Sequence, residues 1–122
     1  MAYPASTTTA DWAVTAQLVD VSSASVAYVA PGSPGRLIRV YCCISAAITG
    51  SDSTVTIKKG STTIGTITLA VSGSAVGSVF TATMTGAEKD CTFAAGDTII
   101  LDSDGASSTT SIGVFTCVMR AL

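Results

Sequence analysis

A two-residue alternation of apolar and polar side chains runs through most of the chain and constrains its fold more than any other feature. The alternation is longest over residues 36–49, where the even-numbered positions from Ile38 to Ile48 are all apolar. This pattern predicts a long strand whose even face, including Ile38, points into a core. Val, Ile and Thr, which pack well in sheets, make up 40 of the 122 residues, and no segment has a helical period. The sequence therefore predicts an all-β protein.

Turn signals divide the chain into about eight short strands. The strongest is PGSPG at residues 31–35, and Gly65 interrupts the alternation as a candidate β-bulge. Lys58 and Lys59 are predicted to form a solvated hairpin tip, and Val71 to point inward with its strand. The predicted strands cover residues 12–21, 25–30, 36–49, 54–58, 63–71, 78–85, 98–102 and 112–122. This spacing predicts one β-sandwich domain of jelly-roll type over residues 12–122.

The N-terminal residues 1–11 differ from the rest of the chain. They are rich in Ala, Ser and Thr, contain Pro4 and have no periodicity, which is typical of a flexible arm. Trp12 opens the predicted sandwich, as a core or interface anchor. The N-terminus also lacks the basic and apolar regions of a secretory signal.

The last predicted strand is apolar on both faces, which fits a central strand or one buried against another subunit. Only 11% of the residues are charged, against about 25% in ordinary domains, so a partner subunit is expected to cover part of the surface. We therefore expect a homo-oligomer. The candidate self-association residues are Ile112, Val114, Phe115, Val118 and Met119.

Charge and the lack of histidine exclude several functions. Six basic and eight acidic residues give a net charge of −2, which argues against nucleic acid and anionic membranes as partners, and no apolar run is long enough to span a bilayer. Without histidine the chain has no Ser-His-Asp or Cys-His nucleophile and no zinc hydrolase site. We therefore expect no catalytic residues, metal or cofactor. The remaining enzymatic alternative is a carboxylate pair among Asp97, Asp102 and Asp104.

Residues 102–105 (DSDG) begin like a calcium-binding EF-hand loop, but the twelfth ligand position falls on Gly113. A turn in which aspartate bonds its own backbone is the preferred interpretation.

The four cysteines are predicted to be free thiols that serve as small buried side chains in a reducing compartment. Cys42 and Cys43 are adjacent and so point to opposite faces of a strand. A disulfide between Cys91 and Cys117 is the alternative.

The sequence resembles the small virion proteins of tailed bacteriophages, in particular capsid decoration (cement) proteins. The resemblance covers residues 36–120 and is most distinctive at ITGSD (48–52), SGSA (72–75), AGDTI (95–99) and DGASS (104–108). It implies a small β-rich module that sits as a dimer or trimer on the outside of the virion capsid, is made in the host bacterial cytoplasm, and bridges subunits of the phage major capsid protein.

On that resemblance, the arm is expected to become ordered on contact with the capsid. Its candidate capsid-binding residues are Tyr3, Pro4, Thr7, Thr8, Thr9 and Trp12. The alternative is a head-fibre or receptor-binding module that recognises host glycan, with Tyr28 and Tyr41 as candidate sugar-stacking residues.

Overall fold

The computed structural model describes residues 11–122, which form two facing antiparallel sheets without a helix. The all-β sandwich prediction is therefore confirmed. The strands are β1 (Asp11–Leu18), β2 (Ser25–Val29), β3 (Gly35–Ile44), β4 (Ser53–Lys59), β5 (Thr62–Leu69), β6 (Val79–Thr81), β7 (Thr83–Met84), β8 (Thr92–Phe93), β9 (Ile99–Ser103) and β10 (Gly113–Ala121).

The connectivity is that of an antiparallel ribbon folded over on itself. Sheet A has the order β1-β10-β3-β6, with β8 also paired to β3, and sheet B has the order β2-β9-β4-β5-β7. The pairs β1/β10, β2/β9, β3/β6 and β4/β5 are successive sections of one ribbon, and folding it places β10 beside β3 and β9 beside β4. This strand order matches the predicted jelly-roll arrangement.

The strand predicted over residues 78–85 is two strands in different sheets. β6 pairs with β3 in sheet A, whereas β7 pairs with β5 in sheet B. The alternation of inward and outward side chains continues across the change of sheet, because Phe80, Ala82 and Met84 all pack against the core. With the short β8 this division gives ten strands among the described residues rather than about eight.

A β-bulge at Ile38 reverses the predicted faces at the start of β3. Leu37 pairs with Met119 and Arg39 pairs with Val118, which leaves Ile38 without a partner opposite it. The extra residue shifts the alternation by one position, so Leu37 is buried and Ile38 is not. The inward prediction was wrong for Ile38 but is confirmed for the later positions Val40, Cys42, Ile44 and Ile48, although β3 itself ends at Ile44.

The bulge predicted at Gly65 is confirmed in the β4–β5 hairpin. Ile57 pairs with Gly65 and Lys58 pairs with Thr63, so Ile64 is the additional residue. A Cβ atom at Gly65 would lie 2.9 Å from the Met84 sulfur and 3.1 Å from the Thr83 carbonyl oxygen, and the glycine therefore lets β7 approach. Val71 lies beyond the end of β5 and is 38% exposed, so its inward prediction was wrong.

Buried serines hold the loops together at one end of the sandwich. The carbonyl of Val21 accepts hydrogen bonds from Ser53 Oγ at 3.1 Å and Ser103 Oγ at 2.8 Å. The hydroxyls of Ser53 and Ser107 lie 2.6 Å apart, and the Ser107 amide donates to Ser53 Oγ at 3.0 Å. The polar segment before β10 is thus fixed to the β1–β2 loop and to the start of β4 by these bonds.

Replacing Ser53 with alanine is expected to lower the free energy of unfolding by about 2–3 kcal/mol, because the buried amide and hydroxyl of Ser107 lose their partner and the Val21 carbonyl keeps only its bond from Ser103. Urea denaturation measures this loss. Ser51→Ala is the matched control, since its exposed hydroxyl bonds only the Ala106 carbonyl, and it is expected to cost less than about 1 kcal/mol. Equal losses in the two variants would contradict the role of the buried serines.

Candidate functional site

The outer face of sheet A carries an uncharged apolar patch. Val79, Cys43 and Val114 are neighbours across β6, β3 and β10, and all three are exposed. Ile112 extends this row, because its carbonyl accepts a hydrogen bond from the Ser45 amide at 3.0 Å. Val79 is 60% exposed, Val114 43% and Ile112 37%. We call Val79, Cys43, Val114 and Ile112 the sheet A patch.

The predicted self-association residues do not share one face. Ile112, Val114 and Val118 point outward, whereas Phe115 and Met119 have no exposed surface and belong to the core. Phe115 and Met119 therefore offer nothing to a second copy, because alternate residues of a strand face opposite sides. The central position expected for this strand is confirmed, since β10 lies between β1 and β3.

The other end of the same face carries three arginines. Arg36 Nη1 lies 2.5 Å from Glu88 Oε1, and Arg120 Nε lies 2.9 Å from Asp11 Oδ1. The hydrogen bonds from Arg120 hold the pKa of the Asp11 carboxyl below its ordinary value. Over residues 11–122, no carboxylate lies within 4.0 Å of the exposed Arg39. The face is therefore apolar at one end and cationic at the other.

The edge of sheet A formed by β1 is open within the described part of the chain. β1 pairs with β10 on one side only and contains neither lysine nor proline, the residues that commonly protect an edge. Its unpaired backbone groups are a template for a strand from a partner. Residues 1–10 lead directly into this strand.

Only Trp12 of the predicted arm residues lies in the described structure. Its ring packs against the core and covers Gly35, where a Cβ would lie 2.5 Å from Trp12 Cη2. Trp12 is thus a core-packed anchor of β1, as the sequence indicates. The other candidates, Tyr3, Pro4, Thr7, Thr8 and Thr9, lie outside the described residues.

The cysteines are free thiols, and the alternative Cys91 to Cys117 disulfide is not formed. Cys42, Cys91 and Cys117 are buried, but Cys43 is exposed in the sheet A patch, so the prediction of burial was wrong for Cys43. Cys42 and Cys43 do point to opposite sides of β3, as expected. Burial raises the pKa of Cys42 and of Cys117 to about 12.

A maleimide at neutral pH is expected to modify Cys43 in the native protein and to leave Cys42 and Cys117 unmodified, because their burial keeps the reagent out and the thiolate unformed. Mass spectrometry counts the labels, and Cys43→Ser removes the label that the native protein takes up.

The raised pKa values of Cys42 and Cys117 also mean that these thiols lose their protons at a lower pH in the unfolded chain than in the folded protein. Stability contributed by the neutral thiols is therefore present below pH 9.0 and is lost as the pH rises towards about 12. A melting temperature that rises over this interval would contradict the assignment.

The aspartates considered for catalysis or calcium binding contact different parts of the protein. Asp104 Oδ1 accepts from the amides of Thr54 and Ala106, both at 3.0 Å, which confirms the predicted aspartate turn. Asp102 Oδ2 lies 3.1 Å from Lys58 Nζ. Asp97 precedes β9, and its Oδ2 lies 4.0 Å from Lys59 Nζ.

The tyrosines proposed as a sugar platform lie on opposite sheets. Tyr28 is on β2 of sheet B and is 66% exposed, whereas Tyr41 is on β3 of sheet A and is half-buried. The structure therefore does not bring them together.

An open cleft of about 480 Å³ lies beside the β4–β5 turn at a corner of sheet B. Lys59, which the sequence predicts to be solvated, is held here: its Nζ donates to the Thr92 carbonyl and lies 5.2 Å from the centre of the Phe93 ring. Lys59 Nζ is also 4.0 Å from Asp97 Oδ2. The cleft is lined by Lys59, Gly60, Thr62, Asp90, Asp97, Thr98 and Ile100. The sequence did not reveal this cleft, because three separate segments of the chain form it. The one signal for it in the sequence is the group of charged residues at positions 88–90 and 97.

No protein-family model matches the chain, and no curated protein matches it significantly. Over residues 11–122 there is no helix long and apolar enough to cross a membrane.

Proposed function

We propose that the protein is a non-enzymatic structural component of a tailed-phage virion, which binds the outside of the capsid and stabilises the shell by bridging major capsid protein subunits. The observation that carries this proposal is the open edge of β1, the strand that directly follows residues 1–10 in the sequence. A strand of the capsid protein that pairs with this edge satisfies its backbone groups, while the side chains of both strands set the register.

We propose in addition that the protein self-associates through the sheet A patch. The residues of the patch are apolar and exposed, and neither Gln17, across the sheet from Val114, nor Thr116, next along the same face of β10, carries a charge. A second copy is the occupant that fits, because close-packed interfaces in homo-oligomers favour apolar surface without isolated charges. In this arrangement the β1 edge of each copy stays available to the capsid.

Co-sedimentation with mature, expanded capsids of the encoding phage tests the capsid proposal. We expect saturation at a fixed, high number of copies per major capsid subunit. No binding, or binding of only a few copies per particle, would overturn the capsid proposal and favour the head-fibre or receptor-binding alternative.

Deleting residues 2–10 is expected to weaken capsid binding by at least about tenfold, because the segment that precedes the open-edge strand in the sequence, and that holds the candidate capsid-binding residues, is lost. The variant keeps β1 and the ion pair between Asp11 and Arg120, so its unfolding midpoint is expected to match that of the full chain. Sedimentation measures binding and urea denaturation measures folding. Unchanged capsid binding by the folded variant would contradict a role for this segment.

A further inference from the structure

The cleft at the corner of sheet B has the construction of a small-ligand site. Its walls come from three segments: residues 59–62 of the β4–β5 turn, Asp90, and residues 97–100 at the start of β9. Its volume, about 480 Å³, lies within the range of small-molecule sites, roughly 300–1,000 Å³.

Two of its charged side chains are fixed by contacts within the protein. Lys59 Nζ donates to the Thr92 carbonyl and lies over the Phe93 ring, and Asp97 Oδ2 accepts from the Ala94 amide at 2.9 Å. Groups that are already held in place lose little freedom when a ligand binds. Lys59 and Asp97 can therefore orient a ligand at low entropic cost.

Asp90 supplies acceptors that the protein does not use. Within residues 11–122 its carboxylate accepts no hydrogen bond, although the residue is half-buried. The charged residues of the lining are one lysine and two aspartates, so the cleft is net negative. It therefore favours ligands that donate hydrogen bonds, such as hydroxyl or ammonium groups, and disfavours anions.

The rest of the lining consists of Gly60, Thr62, Thr98 and one apolar side chain, Ile100. Tyr28, the partner of Ile100 in the β2–β9 ladder, lies outside the lining and has an exposed ring. An aliphatic and an aromatic side chain next to carboxylates match a hexose ring, which has an apolar C–H face and an edge of hydroxyl donors.

We propose that this cleft binds a neutral or amino hexose. The cleft is lined by the β4–β5 turn, by residues at the start of β9 and by Asp90 of the loop before β8, and it contains no residue of the sheet A patch or of β1. A protein assembled on a capsid through sheet A keeps the cleft open to solvent, so sugar binding adds to the proposed function and does not depend on it.

Titration of the ¹⁵N-labelled full chain with D-galactose, D-glucosamine and D-glucuronate, followed by NMR, tests the proposal. We expect saturable shifts confined to residues 59–62, 90 and 97–100 with galactose or glucosamine, and none with glucuronate. Asp90→Asn is expected to weaken binding about tenfold through loss of a charge-assisted hydrogen bond. Glu88→Gln makes the same change of charge in the same loop, outside the cleft lining, and is expected to have no effect.

Tyr28→Ala is expected to weaken binding as well, and Tyr41→Ala on the opposite sheet is its matched control. Absence of shifts with both favoured sugars, equal binding of glucuronate, or an equal loss in Glu88→Gln would overturn the proposal. Capsid co-sedimentation of Asp90→Asn separates the two functions, since we expect it to equal that of the wild type. If the sugars do not bind but capsid binding is intact, only the sugar-site proposal is overturned. If the sugars bind but the protein does not bind capsids, only the capsid proposal is overturned.

Discussion

Phe115→Ala is expected to lower the free energy of unfolding by about 3–5 kcal/mol. Phe115 has no exposed surface and lies on the central strand β10, between Ala16 of β1 and Cys42 of β3. Its removal leaves a cavity between the sheets that a well-packed sandwich closes only in part. Urea denaturation measures the loss, which is a large fraction of the stability of an ordinary domain.

The neighbouring Val114 provides the matched control for this prediction. Val114 points away from the core and is 43% exposed, so Val114→Ala is expected to cost less than about 1 kcal/mol. A loss of stability in Val114→Ala as large as in Phe115→Ala would contradict the assignment of faces on β10.

Val114→Asp is expected to keep the fold but to shift the protein towards monomer in sedimentation velocity, because it places a charge in the sheet A patch. An unchanged oligomeric state in Val114→Asp would remove the patch as the self-association surface.

Gly105→Ala is expected to cost about 3–5 kcal/mol, because two penalties coincide there. Gly105 has a φ of +69°, where side chains are strained, and a Cβ would lie 2.4 Å from the Ala24 nitrogen and 2.6 Å from the Ser23 carbonyl carbon. Both are backbone atoms of the β1–β2 loop, so the contact is relieved only by moving one loop away from the other. Thermal or urea unfolding measures the cost.

Gly73→Ala separates the two penalties. Gly73 has a similar φ of +75°, but no atom lies within 4 Å of the Cβ position, so only the backbone strain applies. Its expected cost is about 1–2 kcal/mol. If Gly105→Ala costs no more than Gly73→Ala, then the close approach of the two loops does not contribute to stability.

The sequence allowed the local structure to be predicted well, because its signals act over a few residues. The two-residue alternation located eight strand segments, and Gly65 and residues 102–105 identified a bulge and a turn that the structure confirms. The site was predicted less completely. Val114 and Ile112 lie on the exposed patch, but Phe115 and Met119 were included with them because both faces of β10 are apolar and the sequence does not show which face is inside.

The sequence by itself determined the all-β class and the approximate position of each strand, since both follow from side-chain periodicity and turn chemistry within short segments. Only the tertiary structure decided which sheet each strand joins, the one-residue shift at Ile38, the meeting of Ser53 with Ser107, and the assembly of the cleft around Lys59. These features depend on pairing between segments that are far apart in the chain. A shift of one residue in such pairing exchanges the inward and outward faces of a strand, and local periodicity does not reveal it in advance.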